Sequence, residues 1–193
     1  PMELNIWRAP TDNDMYIKLE WEKAHYDAAY TRAYRIEVLQ NKHGVLIMEH
    51  LAVVADTVQK ILDVEMTWKI NGDGKIEAVI EAVKDKEFPD LPRFGIRMFL
   101  NKKMDEITYF GMGPQESYRD KHQASCHGLF RSKVAQMHED YIRPQENGSH
   151  YDCDYVELTN GQCGIAAVSK NPFSFNASVY TQEELERVSH NYE

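Results

Sequence analysis

The chain has 193 residues, of which 42% are hydrophobic, 27% charged and 11% aromatic, and it carries a formal charge of −9. At roughly 100–200 residues per domain this is one domain, and it falls short of the about 250 residues of a complete (β/α)8 barrel, so chemistry built on that scaffold must lie elsewhere. With 22 basic residues against 31 acidic ones, binding to nucleic acid is excluded, and apolar stretches such as 51–55 are too short for a membrane-spanning helix.

The N-terminal Pro1-Met2-Glu3-Leu4 has no basic n-region or apolar h-region. Cys126, Cys153 and Cys163 make an odd count without C-x-x-C spacing, which fits reduced thiols. A cytoplasmic protein is therefore expected. A chain starting on Pro1 and ending on Ser189-His190-Asn191-Tyr192-Glu193 is expected to be part of something longer. Asp12-Asn13-Asp14 offers oxygens to a hard cation, but the same triplet after Pro10 makes Asx turns and lacks the glycine and distal glutamate of a calcium loop. No metal site is expected here.

Residues 19–30, with Trp21, Ala24 and Ala28 at helical spacing, predict a short helix. Residues 35–40 and 44–54 predict strands flanking the turn Asn41-Lys42-His43-Gly44. Leu62, Val64, Met66, Trp68 and Ile70 then alternate with polar residues, which assigns one face of a strand to a core and the other to water. Asn71-Gly72-Asp73-Gly74 supplies the turn, and Ile76, Ala78, Ile80 and Ala82 answer on the returning strand. Phe94–Leu100 alternates again. Further on, Asp154–Leu158 and Gly164–Ser169 flank Asn160-Gly161, and Phe173–Val179 makes another alternating run. Cys153 and Cys163 are read as small packed hydrophobes on facing strands. Thr181-Gln182-Glu183-Glu184 is a capping box opening a helix to about Val188. About ten strands at these spacings predict an all-β class: one antiparallel β-sandwich domain over residues 1–193, with one or two short helices.

Two loops interrupt the alternation. Residues 111–121 end a strand with two glycines and a proline, then present Gln115, Glu116, Tyr118, Arg119 and Asp120. Polar groups interleaved with rings suit a sugar; a solvated loop with an idle glutamate is the plainer reading. Residues 143–148 echo the first loop through Pro144-Gln145-Glu146, followed by Asn147. Glu116 and Glu146 invite a glycosidase acid–nucleophile pair, which requires a separation of about 5–9.5 Å. Sequence supplies no distance, and among 31 acidic residues a chance pairing is common. The eight histidines form no metal-ligand spacing, and no nucleophile elbow, P-loop or dinucleotide fingerprint is present. No residue is assigned as catalytic.

Taken in register, Asn5-Ile6-Trp7-Arg8-Ala9-Pro10-Thr11-Asp12-Asn13-Asp14, Tyr109 to Asp120, Pro144 to Gly148, and Phe173 to Ser178 with Thr181, Leu185 and Ser189-His190 resemble the C-terminal domain of family 2 β-galactosidases. In some bacteria that domain is a separate small subunit. The resemblance covers essentially the whole chain. It implies a large sandwich like that of galactose mutarotases, here truncated at both ends. It also implies that the catalytic glutamates and the Mg and Na sites belong to a central barrel on the rest of the enzyme, leaving no cofactor on this chain. The loop matching Gly113, Pro114, Gln115, Glu116, Tyr118 and Asp120 is mobile in the family, with Gly113 at its hinge; Glu146 and Asn147 mark the second polar loop. The implied partners are a galactoside substrate and the remaining domains or large subunit, in an oligomer.

The family's later tryptophan, which stacks on the non-galactose part of the substrate, has no match here, and Trp7, Trp21 and Trp68 are read as core residues. Lost terminal strands would leave unpaired sheet edges. Two rivals remain at this stage. One is a stand-alone sugar-binding module using Tyr109, Phe110 and Tyr118 as a platform. The other is a mutarotase-like epimerase with His122 or His127 beside Glu116.

Overall fold

The computed structural model describes residues 2–56 and 60–192, so the terminal Pro1 and Glu193 lie outside the described residues. Those described fall into two compact units, residues 2–8 with 13–98 and residues 9–12 with 99–192. The class is the one the alternation predicts: mostly β, multi-sheet and sandwich-like, with only short helices.

The first unit holds β1 (Met2–Asn5), α1 (Ile17–Lys23), β2 (Tyr30–Asn41), β3 (Gly44–Val54), β4 (Leu62–Asn71), β5 (Ile76–Lys84) and β6 (Gly95–Met98). β2 to β5 form an antiparallel meander in chain order, and β1 pairs with β6. The period-2 pattern of β4 is realised as burial: Leu62, Val64 and Met66 are 2%, 0% and 4% exposed, while Glu65 faces water. The turn at 71–74 closes through Gly74 N–H donating to the Asn71 carbonyl at 3.2 Å. Leu51, Val53 and Ile61 join the buried face, together with Trp7 and Trp21. The two indoles meet edge-to-face with centroids 6.1 Å apart. Burying an indole requires a partner for its N–H, and Trp21 Nε1 donates to the Asp90 carbonyl at 2.9 Å. Trp68 is half-buried at the margin of this core.

The helix expected over 19–30 is shorter. α1 stops at Lys23 because His25 adopts the left-handed backbone, φ 56°, which an α-helix cannot contain, and Tyr26–Ala28 follows as one 3-10 turn. The buried stripe is served by Trp21 and Tyr26 on two separate pieces. Truncating Leu62 to Ala, at the centre of this core, is expected to cost about 3 kcal/mol. A urea midpoint matching the parent protein's would show that the pocket collapses without loss.

The second unit holds β7 (Glu106–Gly113), β8 (Cys126–Lys133), β9 (Ser149–Thr159), β10 (Gly164–Asn176) and α2 (Gln182–Arg187). Its sheet runs β10-β9-β7-β8. Ile107, Tyr109, Met137, Cys153 and Val156 form its core. The capping box at Thr181 is present: its hydroxyl accepts from Glu184 N–H at 3.1 Å, and the Glu184 carboxylate accepts from Thr181 N–H at 2.7 Å. The runs 164–169 and 173–179 are one bulged strand ending at Asn176, since β10 is a sheet edge where Pro172 removes no ladder bond. Cys153 is fully buried, whereas Cys163 lies exposed in the turn before β10 and packs against no core.

Candidate functional site

β7 delivers the chain to Gly113, where a cis peptide bond leads into Pro114. A Cβ at Gly113 would lie 2.2 Å from the Tyr109 hydroxyl and 2.9 Å from the Phe130 ring, so the absence of a side chain is a packing requirement here. Pro114 and Gln115 are exposed. Ser117, fully buried, pins the loop: its hydroxyl donates to the Met112 carbonyl at 3.1 Å and accepts from Tyr151 N–H at 2.9 Å. Tyr118 is half-buried and closes a tight turn with Lys121, its N–H donating at 2.8 Å; Asp120 sits exposed in that turn.

Glu116 is not solvated; its side chain is 5% exposed. One carboxylate oxygen accepts from Lys121 Nζ and the Tyr141 hydroxyl, and the other from Gly148 N–H at 2.9 Å. The Tyr118 hydroxyl lies 3.5 Å from that second oxygen. Burial by itself would raise the carboxyl's pKa, but the bonds from Lys121, Tyr141 and Gly148 outweigh it and hold Glu116 below the ordinary range. The same contacts raise the Lys121 ammonium, while burial and then the Glu116 bond raise the Tyr141 phenol. The result is a fixed anion. A glycosidase acid needs the opposite, a raised pKa and a proton to give.

The second loop is buried as well. Gln145 accepts from Asp12 N–H at 3.1 Å and donates to the Asp12 carboxylate at 3.2 Å. Glu146 accepts from Asn176 Nδ2 at 3.1 Å, and its own N–H donates to the Ala9 carbonyl at 3.1 Å. Asn147 Oδ1 accepts from Glu139 N–H at 3.0 Å. The structure therefore joins the two loops through Glu116 and Gly148, while Glu146 is bound to a different set of groups. Each glutamate serves as a buried acceptor for strand and loop donors.

Beneath the first loop lies a cavity of about 110 Å³ whose wall includes Tyr109, Glu116, Phe130, Arg131, Glu139 and His150. His150, 2% exposed, stacks on Phe175, meets Tyr109 at a tilt and bonds the Met112 carbonyl through Nδ1 at 3.1 Å. Burial lowers its pKa, favouring the neutral ring. Lys121, Tyr141 and His150 are not singled out by sequence, since nothing in their spacing marks them as partners of Glu116.

Neither rival reading finds its geometry. Tyr109 and Phe110, as neighbours on β7, point to opposite faces: Tyr109 is 1% exposed in the core and Phe110 39% exposed, edge-on to His127. With Tyr118 turned toward Glu116, the three make no common platform. His122 bonds the Tyr118 carbonyl at 3.0 Å and His127 the Asp152 carbonyl at 3.1 Å, so backbone acceptors hold both rings. Asp14 holds Arg8 through both carboxylate oxygens, at 2.8 and 2.9 Å. Among the described residues no three His, Cys, Asp or Glu side chains converge as metal ligands.

The family model described as the β-galactosidase small chain matches residues 1–193. A β-galactosidase of Actinobacillus pleuropneumoniae is 45% identical over 193 residues, covering 100% of this chain and 19% of the relative. Those of Staphylococcus xylosus and Vibrio cholerae serotype O1 are 36% and 30% identical over 96% and 100% of this chain, again 19% of each relative. The chain thus spans about a fifth of the length of the curated relatives it matches. With the family matched end to end, this chain belongs to the β-galactosidase small-chain family.

Proposed function

We propose that residues 1–193 are a non-catalytic β-sandwich part of a cytoplasmic β-galactosidase, helping to shape and close an active site built on a separate barrel domain. The observation that carries this reading is the bonding of Glu116, the conspicuous acid of the first loop. Its oxygens accept from Lys121, Tyr141 and Gly148, which leaves it ionised and engaged. The parent reaction would be retaining hydrolysis of terminal β-galactosides such as lactose by two carboxylates of the barrel. The loop Gly113, Pro114, Gln115, Glu116, Tyr118 and Asp120, with Glu146 and Asn147 behind it, would border the substrate, and its movement would position substrate and exclude water. Glu116 would set the loop's resting shape.

The test is hydrolysis of a chromogenic β-galactoside by this chain alone and by this chain mixed with the barrel-containing remainder. No turnover alone and turnover on mixing are expected. General acid–base catalysis contributes about 10²–10⁴-fold, so Glu116→Gln in the mixed enzyme should keep kcat within about tenfold. Turnover by the chain alone, abolished by Glu116→Gln, would overturn the proposal.

A further inference from the structure

The β2–β5 sheet carries its apolar alternation further than its core extends. Cross-strand partners share a face, so the registers Ile47–Trp68, Val38–Ile47 and Ile70–Ile76 place these residues on the same face as Leu62, Val64 and Met66. The core covers only the half of that face nearest Leu51–Val53 and Leu62–Met66. On the other half, next to the turns at 41–44 and 71–76, Ile36, Val38 and Ile76 are 55%, 59% and 58% exposed. The single charged side chain on this half-face, Glu49, accepts from Trp68 Nε1–H at 2.9 Å. The opposite face of the same strands carries Arg35, Glu37, Glu65, Lys69, Glu77 and Glu81. That opposite face also exposes Leu39, Val79 and Val83, but these six charged side chains interrupt it, whereas the half-face holds one, already bonded to Trp68.

Four strands about 4.8 Å apart and about six residues long give this half-face roughly 300–400 Å². Self-association of a free chain needs about 800 Å² on each partner. The patch is about half of that, but it meets the size of an interface between domains of one polypeptide, about 600–1,500 Å² in total over both sides. An occupant already held by contacts elsewhere needs less area here, because its contact with this face is then intramolecular. The curated relatives supply such an occupant, since 19% of their length corresponds to this chain.

We infer that the half-face bearing Ile36, Val38, Ile47, Trp68, Ile70 and Ile76 is the docking surface for an apolar, uncharged face of the remaining β-galactosidase polypeptide. The inference rests on the function proposed above. Its test uses the enzyme assembled from this chain and the barrel-containing remainder, with Val38→Cys or Ile76→Cys as probes and Glu77→Cys and Glu81→Cys as opposite-face controls. Alkylation by iodoacetamide is read site by site by mass spectrometry, and galactoside hydrolysis is measured on the same samples.

Thiols at 38 and 76 should react at least about tenfold more slowly than those at 77 and 81, because docking removes them from solvent. Two separate probe positions keep the test readable if one substitution blocks assembly. Equal rates at all four positions in an active enzyme overturn the docking surface while leaving the function standing. Protection lost on dilution while activity persists assigns the face to a second copy and overturns the inference. If the unsubstituted chain gives no hydrolysis with the remainder, the underlying function fails and the docking surface with it.

Discussion

Glu116→Gln is expected to destabilise the second unit by about 2–4 kcal/mol at pH 7. The amide has the shape of the carboxylate but the wrong polarity. Turned toward Gly148, its NH2 confronts an N–H donor; turned the other way it confronts Lys121 Nζ, and only the Tyr141 hydroxyl can rotate to accept from it. Either way, charge-assisted bonds to a carboxylate in a site 5% exposed give way to fewer and neutral ones. The loss stays below that of a fully buried ion pair, because the Lys121 side chain is 60% exposed and water takes up much of its charge.

The pH dependence has a definite sign. Glu116 is held below its ordinary value of 4.5 in the folded protein, so its contribution is complete above that pH. It is lost as pH falls through the depressed folded value. The gap between parent and variant should therefore be widest at neutral pH and narrow on acidification below about 4.5. Urea unfolding at pH 7 and pH 4 measures both. A variant as stable as the parent at pH 7 would remove the anchoring role.

Which of these features sequence could reveal depends on the range of the interactions that fix them. The β4–β5 hairpin is legible because its determinants are local: alternation over 62–70, a turn at 71–74 and an answering strand. Two misreadings come from contacts that no local pattern encodes. Ala24 and Ala28 continue a helical stripe, yet the backbone turns left-handed at His25, with no glycine to announce it. Pro172 divides a strand in sequence but not in space, because its edge position is set by β9 and by the sheet order. The site divides in the same way. Glu116 and Glu146 stand out as loop carboxylates, but their chemistry is decided by Lys121, Tyr141, Gly148 and Asn176, up to 32 residues away. A buried, donor-saturated carboxylate and a free catalytic one look identical in sequence. The fold's contribution is the set of donors around them.

Gly148→Ala should be the costlier change to the same anchor, at about 3–5 kcal/mol. Gly148 has φ +69°, and a Cβ there would lie 2.4 Å from the Met137 carbonyl oxygen, a backbone atom that cannot rotate aside. Relief of that contact must shift the 137–139 segment or Gly148 itself, and with it the N–H that Glu116 accepts at 2.9 Å. Gly161 provides the internal control: its φ is +81°, but nothing lies within 4 Å of its Cβ position. Gly161→Ala should therefore show only the left-handed backbone penalty, about 1 kcal/mol. The difference between the two variants isolates the packing at Gly148. Combining Gly148→Ala with Glu116→Gln should cost less than the sum of the single changes, by about 1 kcal/mol, because both disrupt one hydrogen bond. Strict additivity in that double-mutant cycle would mean that the backbone yields on the Met137 side alone and that the bond to Glu116 survives.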